Sequence, residues 1–162
     1  MKRLITILAS MMLIPMIAGA QSKSFQKGYY GEAGINAAMF EGAPMLSATT
    51  THGYNFGNGL FFGGEFGVHA AHIAAGNDRF FLPLLAKIRY SLCDGPCSPF
   101  FGFGLGTCYD DSYGYNHGLC DSAGLIELGL TGSWWTFSTR LLQLNYPGVS
   151  QGIFQLGFSV CF

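Results

Sequence analysis

Two polar stretches of the sequence contain the side chains best suited to bind a metal ion. His69 and His72 precede Asp78, and His117 lies among aspartates. Those aspartates are Asp110, Asp111 and Asp121. Imidazole and carboxylate groups are common ligands of divalent metals. Neither group has the spacing of a metal-binding motif. Both are interpreted as solvated loop residues, and the sequence predicts no metal and no cofactor.

Hydrolysis at a membrane surface would need a serine or histidine, with a carboxylate to orient the base. His52 is the only histidine in a row that faces outward under the alternation described below. Ser47 and Thr49 fall in the opposite row, and no outward serine and carboxylate accompany His52. No nucleophile can be named, so the sequence predicts a protein that is not an enzyme. A lipid-modifying barrel enzyme stays open as an alternative.

The sequence contains 5 cysteines, and four of them fall into two local pairs. Cys93 and Cys97 flank a short Asp-Gly-Pro turn, whereas Cys108 and Cys120 flank a long polar stretch. Both pairs are candidates for disulfides in an exported chain, although spacing does not fix the pairing. Cys161 would remain unpaired. Zinc is disfavoured at Cys93 and Cys97 because no histidine lies nearby.

Apolar residues alternate with small or polar residues in segments separated by Gly, Asn, Asp, Pro and Ser, which predicts β-strands. The clearest alternation runs over Leu60–Ala70, Phe80–Leu92 and Ile153–Phe162. Weaker segments are Gly28–Phe40, Met45–Phe56, Pro99–Tyr109, Ala123–Thr131 and roughly Phe137–Tyr146. Eight strands with mostly short connections predict a single domain over residues 28–162. The longest upper connection is Asp110–Ser122; the others are Glu41–Ala43, Ala71–Asp78 and Pro147–Gly152.

The composition and the amino terminus together predict an exported membrane protein. Only 10% of the residues are charged, whereas soluble domains carry about 25%. Met1-Lys2-Arg3, an apolar stretch and Ala18-Gly19-Ala20 match a signal peptide over residues 1–20, followed by a short periplasmic tail over residues 21–27. Removing Lys2 and Arg3 would leave 6 basic residues (8 − 2) against 9 acidic ones, which excludes a typical nucleic-acid binder.

The large apolar rows predict the outer face of a transmembrane barrel. The opposite rows consist mostly of small residues with a few charges, too few for a water-facing surface. Eight antiparallel strands in up-and-down order close into a barrel. Side chains fill the interior of such a barrel, and its large apolar residues face the lipid. Aromatic residues near the strand ends predict a girdle at each rim. One contains Tyr29, Tyr54, Phe56, Tyr90, Phe101, Trp135 and Phe162, and the other Phe80, Tyr109, Tyr146 and Phe154.

By the same alternation, five charged side chains point into the barrel, and we interpret them as an interior network. These are Glu32, Glu65, Lys87, Arg89 and Glu127. The simplest pairing of neighbouring strands places Glu32 opposite Gly53, Gly63 opposite Lys87, and Gly104 opposite Glu127. Such a network would plug the interior and prevent solute conduction. Isolated charges surrounded by internal water are the alternative.

The last residues of the chain follow an order of residue types that is found in known proteins. Gln155, Gly157, Val160 and Phe162 fit the order polar-x-Gly-x-x-apolar-x-aromatic. This order is similar to the terminal assembly signal of bacterial outer-membrane barrels. The segments Thr51–Phe56, Phe81–Leu84 and Ser98–Phe100 add weaker similarity. Residues 28–162 thus resemble the small eight-stranded, OmpA/OmpX-like outer-membrane proteins of Gram-negative bacteria.

That resemblance implies insertion by the barrel assembly machinery, with both termini in the periplasm. It implies contact with outer-membrane lipids and no specific activity. We expect a monomer with a structural or surface-interaction role through its outer connections, chiefly Asp110–Ser122, toward an unidentified ligand. A soluble, periplasmic, lipocalin-like binder is a further alternative, and would need the large apolar rows on the inside.

Overall fold

The computed structural model describes residues 25–73, 77–95, 97–110 and 118–162, and these form an all-β structure. The strands are β1 (Gly28–Phe40), β2 (Ala43–Asn55), β3 (Leu60–Ile73), β4 (Asn77–Ser91), β5 (Ser98–Asp110), β6 (Gly118–Leu119), β7 (Ser122–Thr131), β8 (Trp135–Tyr146) and β9 (Val149–Cys161). Within those ranges, no helix is long and apolar enough to cross a membrane. The predicted signal peptide lies outside the described residues.

The strands form one closed antiparallel sheet. Each strand pairs with its neighbours in the chain, β1 pairs with β9, and the two-residue β6 continues the line of β7 beside β5. The sheet is therefore an eight-stranded up-and-down barrel, as predicted. We call the end with the β1–β2, β3–β4, β5–β7 and β8–β9 connections the upper end, and the opposite end the lower end.

The strands are strongly staggered around the barrel. From Ala38, paired residues lead through Gln155, Arg140, Glu127, Gly102, Arg89, Phe61 and Asn55 back to β1 at Gly28. The ladder thus returns 10 residues lower on the same strand (38 − 28). A stagger of this size accompanies a strand tilt of about 35–45° in barrels.

Alternation along each strand sorts the side chains between two environments. Large apolar residues such as Leu46, Phe62 and Leu84 are exposed on the outside, each with more than half of its surface accessible. Charged and small polar residues point inward and are buried, together with an apolar cluster near the upper end. This arrangement is the reverse of what a soluble lipocalin-like binder needs, and it matches the predicted lipid-facing band.

Most strands are longer at the upper end than the sequence predicted. β3 continues to Ile73, β4 begins at Asn77, and β9 begins at Val149. The β1–β2 connection contains only Glu41 and Gly42, both with positive φ, as in the tight turns that suit the twist of a hairpin. The sequence pattern did not predict these strand ends, because some of the outward positions there are not apolar and the alternation is less clear.

Candidate functional site

The interior contains a layer of ion pairs centred on β4. Lys87 Nζ lies 2.9 Å from Glu65 Oε2 on β3 and 2.7 Å from Glu127 Oε2 on β7. Thr51 on β2 donates a hydrogen bond to Glu65, at 3.1 Å. All of these side chains are almost fully buried. One ammonium group therefore links two carboxylates across the width of the barrel.

Arg89 forms the second part of the layer. Its guanidinium binds Glu32 through two contacts, Nη1–Oε1 at 2.5 Å and Nη2–Oε2 at 2.7 Å. Thr136 and Tyr30 also donate hydrogen bonds to Glu32. The guanidinium lies 4.3 Å from the ring centre of Phe100. Paired bonds and an aromatic face are the surroundings that suit a buried arginine.

Arg140 on β8 completes the layer, and sequence reasoning missed it. Its Nη2 contacts Glu65, its Nε lies 3.6 Å from Glu127, and its Nη1 donates to Asn36 at 3.2 Å. The strand containing Arg140 had no definite register in the sequence, because the adjacent aromatic residues permit two phases. Three cations now face three carboxylates, so this layer is electrically neutral.

Two of the assumed pairings are wrong. Glu32 lies opposite Thr51, and Gly53 instead faces Tyr30. Glu127 lies opposite Gly102, and Gly104 faces Leu125. Both errors are slips of two residues, which preserve the inward direction of each side chain. Gly63 lies opposite Lys87, which in turn faces Gly104.

Above the ion pairs lies a smaller polar layer that contains His69. This histidine is fully buried, so its interpretation as a solvated loop residue is wrong. Gln155 Nε2 lies 3.4 Å from its Nδ1. Among the described residues, His69 Nε2 and Gln155 Oε1 have no hydrogen-bond partner. No group of three potential metal ligands occurs in the described ranges.

The upper interior contains a cluster of buried apolar side chains, which we call the upper plug. Phe40 and Phe81 pack edge to face, with ring centres 5.1 Å apart. The upper plug consists of Phe40, Met45, Ala71, Phe81, Leu85, Cys108, Cys120, Ala123, Leu125, Leu142, Leu144 and Ile153. A polar solute entering from above would meet this cluster before reaching the ion pairs.

All five cysteines are free thiols in the structure. Cys93 and Cys97 are exposed at the lower end, and Cys161 is buried near Glu32. Cys108 and Cys120 face each other inside the upper plug. Cys120 N donates to Cys108 O at 2.8 Å, and Cys108 N donates to Cys120 Sγ at 3.0 Å.

His52 lies on the outer wall near the lower end, as predicted. Tyr29 OH contacts its Nδ1, and Thr50 Oγ1 lies 2.7 Å from its Nε2. Thr50 also donates to the carbonyl of Glu32, at 3.1 Å. Thr50 therefore accepts from Nε2–H, and Tyr29 donates to Nδ1. Both ring nitrogens are occupied, with neither a serine nor a carboxylate among these contacts.

The carboxyl terminus closes the wall beside His52. The rings of Phe162 and His52 pack edge to face at 6.0 Å. Gln155 and Gly157 point inward, whereas Val160 lies in the outward row. Gly157 packs against Asn36, where a Cβ atom would collide with the amide.

The aromatic rims agree with the sequence except at Tyr146. Tyr29, Tyr54 and Phe101 are exposed at the lower rim, and Phe80, Tyr109 and Phe154 at the upper rim. Tyr146 instead turns inward, packs against the upper plug and donates to Asp110 Oδ2 at 2.8 Å. The side chains of His72 and Asp78, and residues Asp111 and His117, lie outside the described parts of the structure.

Comparison with solved structures identifies the fold. Neisserial surface protein A superposes with a TM-score of 0.63 and 18% identity, covering 85% of this chain and 99% of that one. The outer membrane enzyme PagL gives 0.61 at 13% identity, covering 81% and 98%. The N-terminal barrel domain of Pseudomonas aeruginosa OprF gives 0.53 at 12%, covering 85% and 100%.

No protein-family model and no curated protein sequence matches the chain. Identities below 20% establish a shared fold and leave activity open. The fold is that of small eight-stranded outer-membrane barrels, which confirms the architecture predicted from the sequence.

Proposed function

We propose that this barrel spans the outer membrane of a Gram-negative cell as a sealed, non-enzymatic protein that acts through its upper surface. The observation that carries the proposal is the contrast between the outer and inner walls of the barrel. The outer wall exposes apolar side chains around the barrel, and the inner wall pairs three buried carboxylates with three buried cations. An apolar wall is stable only against lipid, and closure satisfies the backbone there.

The proposed topology follows from the same arrangement. Residues 1–20 would be removed during export, residues 21–27 would form a periplasmic tail, and the lower end would face the periplasm. Barrel assembly machinery would insert residues 28–162, with Gln155, Gly157, Val160 and Phe162 as its recognition signal. Longer connections face outward in barrels of this kind, and β5 ends at Asp110 and β6 begins at Gly118 at the upper end.

Membrane insertion is tested by fractionation and gel mobility. The folded barrel should be recovered from outer membranes and should migrate faster in detergent gels before boiling than after it. A protein recovered in the soluble periplasmic fraction, without a heat-dependent change in mobility, would contradict the proposal.

Buried side chains inside the barrel support the proposed role without solute transport. The interior of an eight-stranded barrel is narrow enough for side chains to fill, and here the ion pairs and the upper plug lie inside it. Planar-bilayer recordings should therefore show no stable, large conductance. A steady current that depends on protein insertion would show that the interior opens.

The alternative of a lipid-modifying enzyme draws on the fold shared with PagL. The candidate base is His52, whose side chain lies on the outer wall. Tyr29 and Thr50 contact its two ring nitrogens. A general base needs a free lone pair directed at its nucleophile. We therefore expect cells producing His52→Ala to have the same membrane-lipid composition as cells producing the natural protein. A lipid product lost with this substitution would favour the enzyme.

A further inference from the structure

Part of the upper outer wall is polar. Beyond Ile126, Leu141 and Phe154, all the outward positions on β7, β8 and β9 within these strands are small or polar. We call these residues the outer polar patch: Ser122, Gly124, Gln143, Asn145, Ser150 and Gly152. They form two rows across three strands, Gly124–Gln143–Gly152 and Ser122–Asn145–Ser150.

Four other strands carry exposed apolar side chains near their upper ends. Met39 is 62% exposed, Leu46 67%, Phe80 44% and Tyr109 42%. Each of these residues lies close to the upper end of β1, β2, β4 or β5. The outer polar patch is therefore a local gap in the apolar band. In the proposed membrane orientation, this gap would place polar groups near the level where acyl chains meet headgroups.

The two glycines make the patch concave. Neither Gly124 nor Gly152 has a positive φ, so the backbone does not require glycine there. An added Cβ would lie 3.9 Å from Gln143 Cβ at Gly124, and 3.7 Å from Gln143 Oε1 at Gly152. Both are ordinary contact distances. Glycine inside a strand marks a bulge, a tight bend, or a place that a ligand or another backbone approaches closely. The pairing of both glycines with β8 is regular, which favours close approach.

The chemistry of the patch is neutral and rich in hydrogen-bonding groups. Asn145 Nδ2 donates to Ser122 Oγ at 3.0 Å, and Ser150 Oγ donates to Asn145 Oδ1 at 2.7 Å. Gln143 Nε2 donates to Ser150 Oγ. Each amide nitrogen retains a second hydrogen, and Gln143 Oε1 retains acceptor capacity. Such groups suit hydroxyl and amide partners, whereas a phosphate would require cations.

We propose that the outer polar patch binds the saccharide headgroup of a glycolipid in the surrounding outer leaflet. This inference depends on the proposed membrane location. The sugar would lie across the depressions at Gly124 and Gly152, with its hydroxyl groups bonded to Gln143 and Asn145. Its acyl chains would descend along Ile126, Leu141 and Phe154.

The test measures retention of a defined probe by the purified full barrel. The probe is an acylated glucosamine disaccharide, compared with phosphatidylglycerol, and bound lipid is counted by native mass spectrometry in mild detergent. The natural barrel should prefer the glycolipid. The variant Gln143→Leu/Asn145→Leu should bind it at least tenfold more weakly, and Gly124→Leu should also bind it weakly by filling one depression.

Matched controls separate recognition from general effects on the wall. Thr139→Leu replaces an outward polar residue lower on β8, and Ala37→Leu adds bulk on β1. Both should retain the glycolipid as the natural barrel does. Heat-dependent gel mobility of every variant tests the fold separately, so insertion can succeed while lipid recognition fails.

Three results would overturn the inference. Equal retention of the two lipids would show that the headgroup is not recognised. Unchanged glycolipid binding by correctly folded patch variants would place any binding elsewhere. A natural barrel that crosslinks to itself, and becomes monomeric when Gln143 and Asn145 are replaced, would identify the patch as an interface between copies.

Discussion

Gly31 and Phe162 exchange two backbone hydrogen bonds, each 2.9 Å long, so the last residue extends the β1–β9 ladder. The phenyl ring lies over the glycine, where a Cβ atom would be 2.5 Å from Phe162 Cε2. A glycine that accommodates an aromatic ring from a neighbouring strand is a recognised device in sheets. The ring of the proposed assembly signal therefore depends on a residue far away in the chain.

Gly31→Val should displace the Phe162 ring and reduce the amount of folded barrel in the outer membrane, because the branched side chain occupies the position of the ring. Deletion of Phe162 should have the same effect. The measurement is the folded fraction by heat-dependent gel mobility. Gly64→Ala is the control, because its Cβ would meet only a carbonyl at 3.7 Å. Equal amounts of folded barrel for all three variants would show that the Phe162 ring is not needed for assembly.

Lys87→Met should destabilise the barrel strongly, because it leaves Glu65 and Glu127 with less compensating charge in a buried layer. Removing one partner of a buried ion pair typically costs about 3–5 kcal/mol. Unfolding by urea in detergent measures the change in midpoint. Lys27→Met alters an exposed lysine below β1 and should change the midpoint little. Similar, small shifts for both variants would contradict a stabilising network.

Neutrality itself can be tested with a second substitution. Lys87→Met combined with Glu127→Gln restores the balance of two cations and two carboxylates. We expect this double variant to be more stable than Lys87→Met alone, because the uncompensated carboxylate is gone. A double variant that loses the sum of the two single effects would indicate that the groups act independently.

The architecture could be predicted because alternation records which face of a strand meets lipid. Leu60–Ala70 and Ile153–Phe162 each have one apolar row, interrupted only by Gly64, and these rows face outward in the structure. Strand ends were less predictable. Near Ile73 and Val149 the pairing continues through backbone hydrogen bonds, which depend little on side-chain type.

The interior partners were less predictable than the inward direction. Direction depends on parity, which a slip of two residues preserves, whereas partners depend on register. The Glu32 pairing was wrong for that reason. Arg140 was missed because Trp134, Trp135 and Phe137 allow β8 to begin in either phase. The inward turn of Tyr146 depends on that same phase.

Tyr146→Phe should weaken the upper end of the barrel. The lost hydrogen bond joins the phenol to the buried carboxyl side chain of Asp110 at 2.8 Å, and a hydrogen bond to a charged group contributes about 1.5–3 kcal/mol. Hydrogen exchange of the β5 and β8 amides should increase near the upper end. Tyr109→Phe, on the outer wall, is the matched control. Identical exchange in both variants would mean that the Tyr146 contact adds nothing.

Cys108 and Cys120 should form a disulfide when the chain folds in an oxidising compartment. Cys120 directly follows β6, and its N–H bonds to the carbonyl of Cys108, which continues the pairing of Tyr109 with Leu119 by one residue. Residues opposed in this way have Cα atoms about 4.5–5.5 Å apart, within the range that a disulfide spans. An exported thiol oxidase would accept the two electrons, and the bond would close the segment between the two cysteines. Closing a loop of roughly this size stabilises a fold by about 3 kcal/mol or less.

Mass spectrometry of the purified barrel, alkylated before reduction, measures this bond directly. We expect a Cys108–Cys120 crosslinked peptide and a lower unfolding midpoint for Cys108→Ser/Cys120→Ser. Exposed Cys93 and Cys97 provide the comparison, because a disulfide there would be reduced first by a mild reductant. Alkylation of both Cys108 and Cys120 in the unfolded but unreduced protein would show that the thiols remain free. The bond matters for function because it would secure the base of the connection that we expect to meet an external partner.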